Sequence, residues 1–277
     1  MPNRKQWLEE LRTRMIVRPI QEDERTRYGL PLGKEVSWIF NHAIGGGQAN
    51  FDEPIGGLTP QERVMLYAYL NQKAHVDELI HAFAKLVPDL ERFRNATVID
   101  IGCGPFTAGL ALANVVGAGV AYRYFGIDHS ASMCEFGARL AARVEAINEF
   151  HPGTEVSFHQ NIDEIDFGRI RGGEITIFVL SYLLASTSID VDELVRQIKS
   201  AQKRVGLGAT VLLYTNTGRE SARKLYPDFC SKLTAAGFVE QIEEVELFKD
   251  SDKDRLIHYA LFVSPPVSKV KTAEFFA

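Results

Sequence analysis

The stretch from residue 98 to residue 104 reads Val-Ile-Asp-Ile-Gly-Cys-Gly: an apolar run ends in a carboxylate, Asp100, and passes at once into a Gly-x-Gly turn. A second short apolar run, residues 124–127, ends in another carboxylate, Asp128. The order strand, glycine turn, helix, strand and acid predicts a ligand site at the carboxyl edge of a parallel sheet. At such a site Gly102 and Gly104 let the backbone approach a ligand, and Asp128 can accept hydrogen bonds from a ribose diol.

Two other nucleotide-binding motifs do not fit this turn. A nicotinamide-binding Gly-x-Gly-x-x-Gly motif requires a third glycine at position 107, where the chain has Thr107. A Walker-type phosphate loop requires Gly-Lys-Ser or Gly-Lys-Thr, and neither follows the turn. The remaining alternative is a glycine turn that only connects a strand to a helix, and the order of the downstream elements argues against it.

Downstream of the turn, apolar runs alternate with helical patterns. We predict further strands over residues 156–159, 175–180 and 210–214, and helices over residues 131–150, 190–205 and 220–236. Ser188 or Asp190 would cap the second of these helices, and Gly237 would end the third. Two long strands, residues 239–248 and 256–263, are separated by the polar residues 250–254, which suit an antiparallel hairpin.

Asp100, two residues before the first glycine, together with Asp128 resembles motif I and the following acidic motif of the class I S-adenosylmethionine-dependent methyltransferases. Residues 233–238, Leu-Thr-Ala-Ala-Gly-Phe, also resemble the corner that leads to the sixth strand in that family. The resemblance covers residues 96–265 and departs from the family at Phe106, where a third glycine is usual. It implies an α/β, Rossmann-like class I methyltransferase fold with a seven-stranded, mostly parallel sheet of order 3-2-1-4-5-7-6.

The resemblance also implies a cofactor, S-adenosyl-L-methionine, and the residues that bind it. The glycine turn would offer backbone groups to its amino acid part, Asp128 would bind its ribose, and residues after the third and fourth strands would line its adenine and reactive methyl. The predicted cofactor-binding residues are Asp100, Gly102, Cys103, Gly104, Asp128, His129, Met133, Asn161, Ile162, Ser181 and Tyr182. Asp163 is an alternative to Asn161 as the acceptor for the adenine amino group. The sequence identifies no catalytic base and no metal-binding pattern.

The residues before the first core strand predict a mostly helical cap. A helix is expected over residues 4–15, followed by an irregular segment, 16–58, that carries two glycine clusters. A second helix should begin after Thr59, with Glu62 completing a capping box, and end before Pro88. We therefore expect a cap or lid (1–95), a core (96–265) and a tail (266–277). The candidate substrate-binding residues, all in the irregular segment, are Tyr28, Trp38, His42 and Gln48.

Composition narrows the classes of partner. The net charge of −5 gives no overall attraction to nucleic acid, and the basic residues 196, 199, 203 and 204 are expected to form a solvated helix face. The three cysteines show neither metal-ligand nor disulfide spacing, which suits a reducing cytoplasm. We recognise no signal peptide and no apolar run of membrane-spanning length, so no membrane partner is expected.

The sequence therefore predicts an S-adenosylmethionine-dependent methyltransferase that acts on a small molecule beneath a helical cap. One alternative is a ribosome- or RNA-associated methyltransferase, because residues 67–70 (Tyr-Ala-Tyr-Leu) and 180–184 (Leu-Ser-Tyr-Leu-Leu) resemble a family associated with mitochondrial-type small ribosomal subunits. The cysteine-rich metal segment of that family is absent from the chain. A second alternative is a non-catalytic cofactor-binding scaffold protein, since one fold hosts many functions.

Overall fold

The computed structural model describes residues 4–86, 93–168, 175–206, 208–249 and 254–265. Its strands are β1 (Ala96–Ile101), β2 (Tyr122–Ile127), β3 (Glu155–His159), β4 (Thr176–Ser181), β5 (Thr210–Thr217), β6 (Val239–Lys249) and β7 (Asp254–Ser264). They form one sheet in the order β3-β2-β1-β4-β5-β7-β6. The first five strands are parallel, and β7 lies antiparallel between β5 and β6. The predicted strand order is confirmed.

Within the described residues before β1 there are three helical segments, and each of them changes winding along its length. The helix α1 is α-helical over Gln6–Arg12 and Arg18–Gln21 with a π turn, Thr13–Val17, between them. A short helix, α2, combines Val36–Trp38 with a π turn, Ile39–Ala43. The helix α3 runs through Pro60–Tyr67, a π turn at Ala68–Gln72, and Lys73–Leu86. The predicted capping box is confirmed, because Thr59 and Glu62 exchange side-chain to backbone hydrogen bonds at the start of α3.

The helix α1 extends further than predicted, through Pro19 to Gln21. In its π turn the N–H of Arg18 donates to the carbonyl of Thr13, five residues earlier. This wider turn accommodates a proline, which has no N–H to donate and whose ring clashes with the preceding turn of a regular α-helix. Burial of Ile16 and Ile20 on the inner face stabilises the extension.

In the described part of the core, four α-helices connect the strands: α4 (Thr107–Val116), α5 (Ala131–Ala146), α6 (Val191–Val205) and α7 (Tyr226–Ala235). Asp190 is the cap of α6, because its side chain accepts from the N–H of Glu193. The helix predicted over 220–236 is shorter than expected: α7 begins at Tyr226, since Pro227 is tolerated in a first helical turn but not in a helix interior. Gly237 follows its end with a φ of +91°.

The N-terminal helices and the core share hydrophobic packing. One cluster of buried side chains includes Trp7 and Ile16 of α1, Val76 of α3, Leu110 of α4 and Leu140 of α5. No helix in the described ranges is long and apolar enough to cross a bilayer. The predicted helix end at 87–88, the connection at 250–253 and the tail at 266–277 fall outside the described residues.

Candidate functional site

The glycine turn after β1 is bound to the end of β2 by three backbone N–H groups. Those of Gly102 and Cys103 donate to the carbonyl of Ile127 at 2.8 and 3.0 Å, and that of Gly104 donates to Oδ2 of Asp128 at 3.0 Å. Positive φ angles of +74° at Gly102 and +52° at Gly104 permit this path. These three N–H groups therefore shape the turn itself. That the turn offers backbone groups to the cofactor stays a prediction.

Phe106 occupies the position where the resembled family has its third glycine. Its backbone keeps the left-handed conformation, with a φ of +66°, but its ring is fully buried. The ring packs edge-on against Tyr124 and Phe158, with centroids 5.0 and 5.5 Å apart. A Cβ built on Gly109 would lie only 1.8 Å from the Phe106 ring. The side chain thus points into the core and leaves the space beside the turn open.

Asp128 connects the glycine turn to the start of α5. Its Oδ2 accepts from Gly104, its Oδ1 accepts from the N–H of Ser130 at 3.0 Å, and 11% of its side chain is exposed. Burial raises the pKa of Asp128, while these two N–H groups act in the opposite direction. A carboxylate oxygen accepts about two hydrogen bonds, so each oxygen keeps one lone pair for a ligand.

A cleft at the carboxyl edge of the sheet has two lobes, which meet at Asp128. The β3-side lobe lies between the ends of β2 and β3 and the start of α6, with Ile101, Ile162 and Leu194 among its walls. The cap-side lobe is the larger of the two and lies between the glycine turn, the end of β4 and the N-terminal region. The residues that line both lobes are Gly102, Asp128, His129, Leu183, Ser188 and Ile189.

The structure brings most of the predicted cofactor-binding residues to this cleft. Those that line it are Gly102, Gly104, Asp128, His129, Met133, Asn161, Ile162, Ser181 and Tyr182. Asp100 and Cys103 do not line either lobe and lie behind the turn. Asp100 is 1% exposed and accepts from the hydroxyl of Tyr124, and the Cys103 thiol donates to the carbonyl of Gly104 at 3.3 Å. Because both side chains are buried behind the turn, the prediction that Asp100 and Cys103 contact the cofactor directly is wrong.

The alternative acceptor Asp163 lies outside both lobes. It forms ion pairs with Arg196 and Arg204 of α6. Arg204 also donates to the carbonyls of Ile162 and Ile165, so two of the four basic residues predicted on this helix hold the segment after β3. Asn161 caps the same segment, with its Oδ1 accepting from the N–H of Asp163 at 3.0 Å.

The buried carboxyl of Asp100 leads to a prediction on stability. Burial raises its pKa to about 7, and Asp128 adds to the rise while Tyr124 opposes it. Between about pH 4 and pH 7 the folded state then binds a proton that the unfolded state has lost, so this group's contribution to stability falls as the pH rises. We expect Asp100→Asn, which keeps an acceptor for Tyr124, to raise the free energy of unfolding at pH 8 by about 1–3 kcal/mol.

Urea unfolding of both proteins at pH 5 and pH 8 measures this effect. The advantage of the Asn variant should be smaller at pH 5, where the wild-type carboxyl is protonated. Asp163→Asn, at an exposed carboxylate, is the control. Equal stability of Asp100→Asn and wild type at pH 8 would show that the carboxylate is not destabilising.

Three of the four candidate substrate-binding residues lie away from the cleft. Tyr28 is fully exposed. Trp38 and His42 stack on each other with ring centroids 5.5 Å apart, and Trp38 packs over Gly56. These predictions are wrong, because Tyr28 faces solvent and because Trp38 and His42 pack within their own segment. Gln48 does line the cap-side lobe and donates to the carbonyl of Ala185 at 3.1 Å.

The segment that covers the cleft, residues 43–53, is here called the cap loop. Hydrogen bonds of two charged side chains, Arg63 and Asp52, hold it in place. The guanidinium of Arg63 donates to the carbonyls of Ala43 at 2.8 Å and Asn50 at 2.6 Å. The carboxylate of Asp52 accepts from the N–H groups of Ala131 at 3.0 Å and Ser132 at 2.8 Å. These hydrogen bonds cap the N-terminus of α5 and fix the cap loop to the core.

The sequence analysis missed two residues of α3, Tyr67 and His75, that line the cap-side lobe. Eight residues of regular α-helix rotate by about 80° beyond two full turns, which would place them on different faces. The π turn at Ala68–Gln72 adds about one residue to a turn, which brings them to within about 20° of one another. No sequence rule used above predicts a π turn, so this pairing could not be found from spacing.

The strand order, with a glycine turn after β1 and a carboxylate after β2, is the Rossmann-like class I methyltransferase fold. The resemblance predicted from the sequence is thus confirmed at the level of the fold. The sequence matches no family profile and no curated protein at a significant level.

Solved structures with a similar fold include three S-adenosylmethionine-dependent or related methyltransferases. One, from Methanosarcina mazei, is 18% identical with a TM-score of 0.45, and the match covers 63% of this chain and 94% of that one. The magnesium protoporphyrin IX methyltransferase from Synechocystis is 16% identical, with a TM-score of 0.43 and coverage of 82% and 89%. A third, from Clostridium acetobutylicum, is 10% identical, with a TM-score of 0.47 and coverage of 72% and 96%.

Proposed function

We propose that this chain is an S-adenosylmethionine-dependent methyltransferase that acts on a small molecule. The observation that supports this most is the meeting of two lobes at Asp128, whose carboxylate keeps acceptor capacity. A nucleoside fits a lobe that has apolar walls on part of its surface and a ribose-binding acid at its edge, with the remainder of the cofactor passing over the glycine turn into the second lobe. When bound, S-adenosyl-L-methionine supplies the electrophilic methyl group, and the protein supplies orientation and exclusion of water.

The residues around the two lobes divide this work. Asp128 would bind the ribose hydroxyls, and Ile101, Ile162 and Leu194 would form apolar walls around the adenine ring. The cap loop, fixed to the start of α5, would exclude water from the reacting groups.

The lining of the cap-side lobe favours a small molecule over a nucleic acid. Among the described residues that line it there is a carboxylate, Asp128, and neither lysine nor arginine. Nucleic acid binding depends on cationic side chains that contact phosphates. The cap loop also covers this lobe, with Gln48 joined to Ala185 across it. Both features favour a compact, enclosed substrate.

Calorimetric titration with S-adenosyl-L-methionine tests the proposal. The variant Gly102→Ala tests whether the cofactor occupies the junction of the two lobes. A Cβ on Gly102 would approach Cδ1 of Leu183 to 2.8 Å and push that side chain into the junction of the two lobes. We expect the affinity to fall at least about tenfold, which corresponds to about 1.4 kcal/mol.

Gly57→Ala is the control for backbone strain. Gly57 also has a positive φ, of +81°, but a Cβ there would meet nothing within 4 Å. Both substitutions should lower the unfolding temperature through strain of about 1–2 kcal/mol, and only Gly102→Ala should lose cofactor affinity. No binding to the wild-type protein at millimolar cofactor would refute the proposed function.

A further inference from the structure

Two half-buried polar groups in the cap-side lobe have no hydrogen-bond partner among the described residues. They are the hydroxyl of Tyr67 and the imidazole of His75, both half-buried on α3. Both groups remain accessible from the cavity, because neither is among the polar atoms that are fully buried without a partner. Half-buried polar groups that open into an enclosed space and bind nothing of the protein are available to a ligand.

The position of His75 is fixed by a chain of contacts behind it. Its ring stacks on Tyr182, with centroids 4.0 Å apart and planes 19° from parallel. The hydroxyl of Tyr182 donates to Glu78 at 2.8 Å, and Glu78, which is 1% exposed, is also paired with Arg255 at 3.4 Å. Tyr182 keeps a left-handed backbone, with a φ of +59°. This arrangement holds the imidazole in one orientation and leaves its nitrogens unused.

Tyr67 is equally confined. A Cβ built on Gly47 or on Gly104 would lie 3.0 or 4.0 Å from its ring, so the ring lies between the cap loop and the glycine turn. Phe51 packs edge-on against it at 5.8 Å. The π turn of α3 therefore presents two oriented polar groups on one face, beside the glycine turn and the end of β4.

We propose that Tyr67 and His75 bind the substrate, and that the substrate is a small uncharged molecule with a hydroxyl group whose proton His75 accepts during methyl transfer. This inference rests on the proposed function. The proton acceptor and the hydrogen-bonding hydroxyl would face the nucleophile from the α3 side, while the glycine turn and Asp128 hold the methyl donor opposite.

The charges around His75 favour this class of substrate. Burial and the nearby Arg255 lower the pKa of His75 to about 4, so its imidazole is an uncharged acceptor at neutral pH. The other titratable groups that line the lobe are Tyr67, Tyr182, Asp128 and His129, and Glu78 lies behind Tyr182. An anionic substrate finds no lysine or arginine among the described residues that line the lobe. A substrate with a protonated amine would have to transfer its proton to His75, which is a much weaker base than the amine.

The transfer step balances with these groups alone. A lone pair of the substrate oxygen forms the new bond to the methyl carbon, and the carbon–sulfur bond breaks with its electron pair remaining on sulfur. The hydroxyl proton passes to a nitrogen of His75 as the new bond forms, because oxygen becomes far more acidic once it carries the methyl group. The protonated imidazole, unfavourable near Arg255, then returns the proton to water on product release.

Binding of phenol and toluene, which differ only in the hydroxyl group, tests the proposal without knowledge of the natural substrate. Titrations use the protein saturated with S-adenosyl-L-homocysteine and follow its methyl and imidazole resonances. Phenol should bind more tightly than toluene, and benzoate should bind least. Tyr67→Phe and His75→Phe should each weaken phenol binding by about 5- to 10-fold and leave toluene unchanged, as expected for one lost hydrogen bond.

The nitrogen-15 resonances of His75 separate hydrogen bonding from a structural role. The imidazole should remain uncharged from pH 5.5 to pH 8, and one nitrogen should shift when phenol binds but not when toluene binds. Equal effects of the substitutions on phenol and toluene, or no phenol binding at 10 mM, would overturn the proposal. Cofactor binding is measured separately by calorimetry, so loss of the proposed function would be recognised independently of the phenol and toluene results.

Discussion

Asp128→Ala is expected to weaken S-adenosyl-L-methionine binding by at least about 100-fold. Each hydrogen bond from a ribose hydroxyl to a charged acceptor contributes about 1.5–3 kcal/mol, and two such bonds are lost. Their sum, at the lower limit, corresponds to about 100-fold in affinity. Isothermal titration calorimetry measures the loss, with Asp163→Ala as a control at a carboxylate outside both lobes.

The same carboxylate has a structural role that the experiment must separate. It accepts from the N–H groups of Gly104 and Ser130, so the alanine variant also loosens the glycine turn. Adenosine and 2′,3′-dideoxyadenosine distinguish the two effects. The wild-type protein should prefer adenosine by at least about tenfold, and the variant should bind both with equal affinity. A variant that retains the preference would show that the ribose is bound elsewhere.

The largest effect on stability is expected from Gly109→Ala. The new methyl group would lie 1.8 Å from the Phe106 ring, which Tyr124 and Phe158 hold on its other sides. Alanine is the better helix former by about 1 kcal/mol, but overpacking against a ring with no room to move outweighs that gain. We expect a loss of about 3 kcal/mol in the free energy of unfolding, measured by urea denaturation.

A double-mutant cycle identifies the cause. Phe106→Gly alone should cost about 2–4 kcal/mol, because the loss of ring burial exceeds the relief of the left-handed backbone. In the double variant Phe106→Gly/Gly109→Ala the clash is absent. Its loss of stability should therefore be smaller than the sum of the two single losses by at least about 2 kcal/mol. Additive costs would mean that the ring and the helix do not compete for the same space.

The features that sequence predicts well in this protein are local. Asp100, Gly102 and Gly104 lie within five residues of each other, and the resemblance they carry gave the correct strand order. The capping box of Thr59 and Glu62 also depends only on neighbours in the chain. In these cases backbone conformation and short-range hydrogen bonds determine the structure, and both can be inferred from residue type.

The parts of the site that sequence did not predict depend on contacts between distant residues. Asp52 caps a helix 80 residues later, and Gln48 binds a carbonyl 137 residues away. The sequence analysis predicted Trp38, His42 and Gln48 alike as substrate-binding residues, although Trp38 and His42 stack on each other. Asp100 was also predicted to contact the cofactor, but its side chain is buried behind the turn. The motif places a carboxylate near a ligand and does not show on which side of the backbone that carboxylate lies.

The shared packing of the N-terminal helices and the core has a consequence for synthesis on the ribosome. Ile16 of α1 and Val76 of α3 pack in the same cluster as Leu110 of α4 and Leu140 of α5, which are translated later. At about 5–20 residues per second, several seconds separate the emergence of α3 from that of α5. During that interval the nascent chain exposes an apolar surface that chaperones recognise. The N-terminal helices therefore complete their packing only when the core helices have been synthesised.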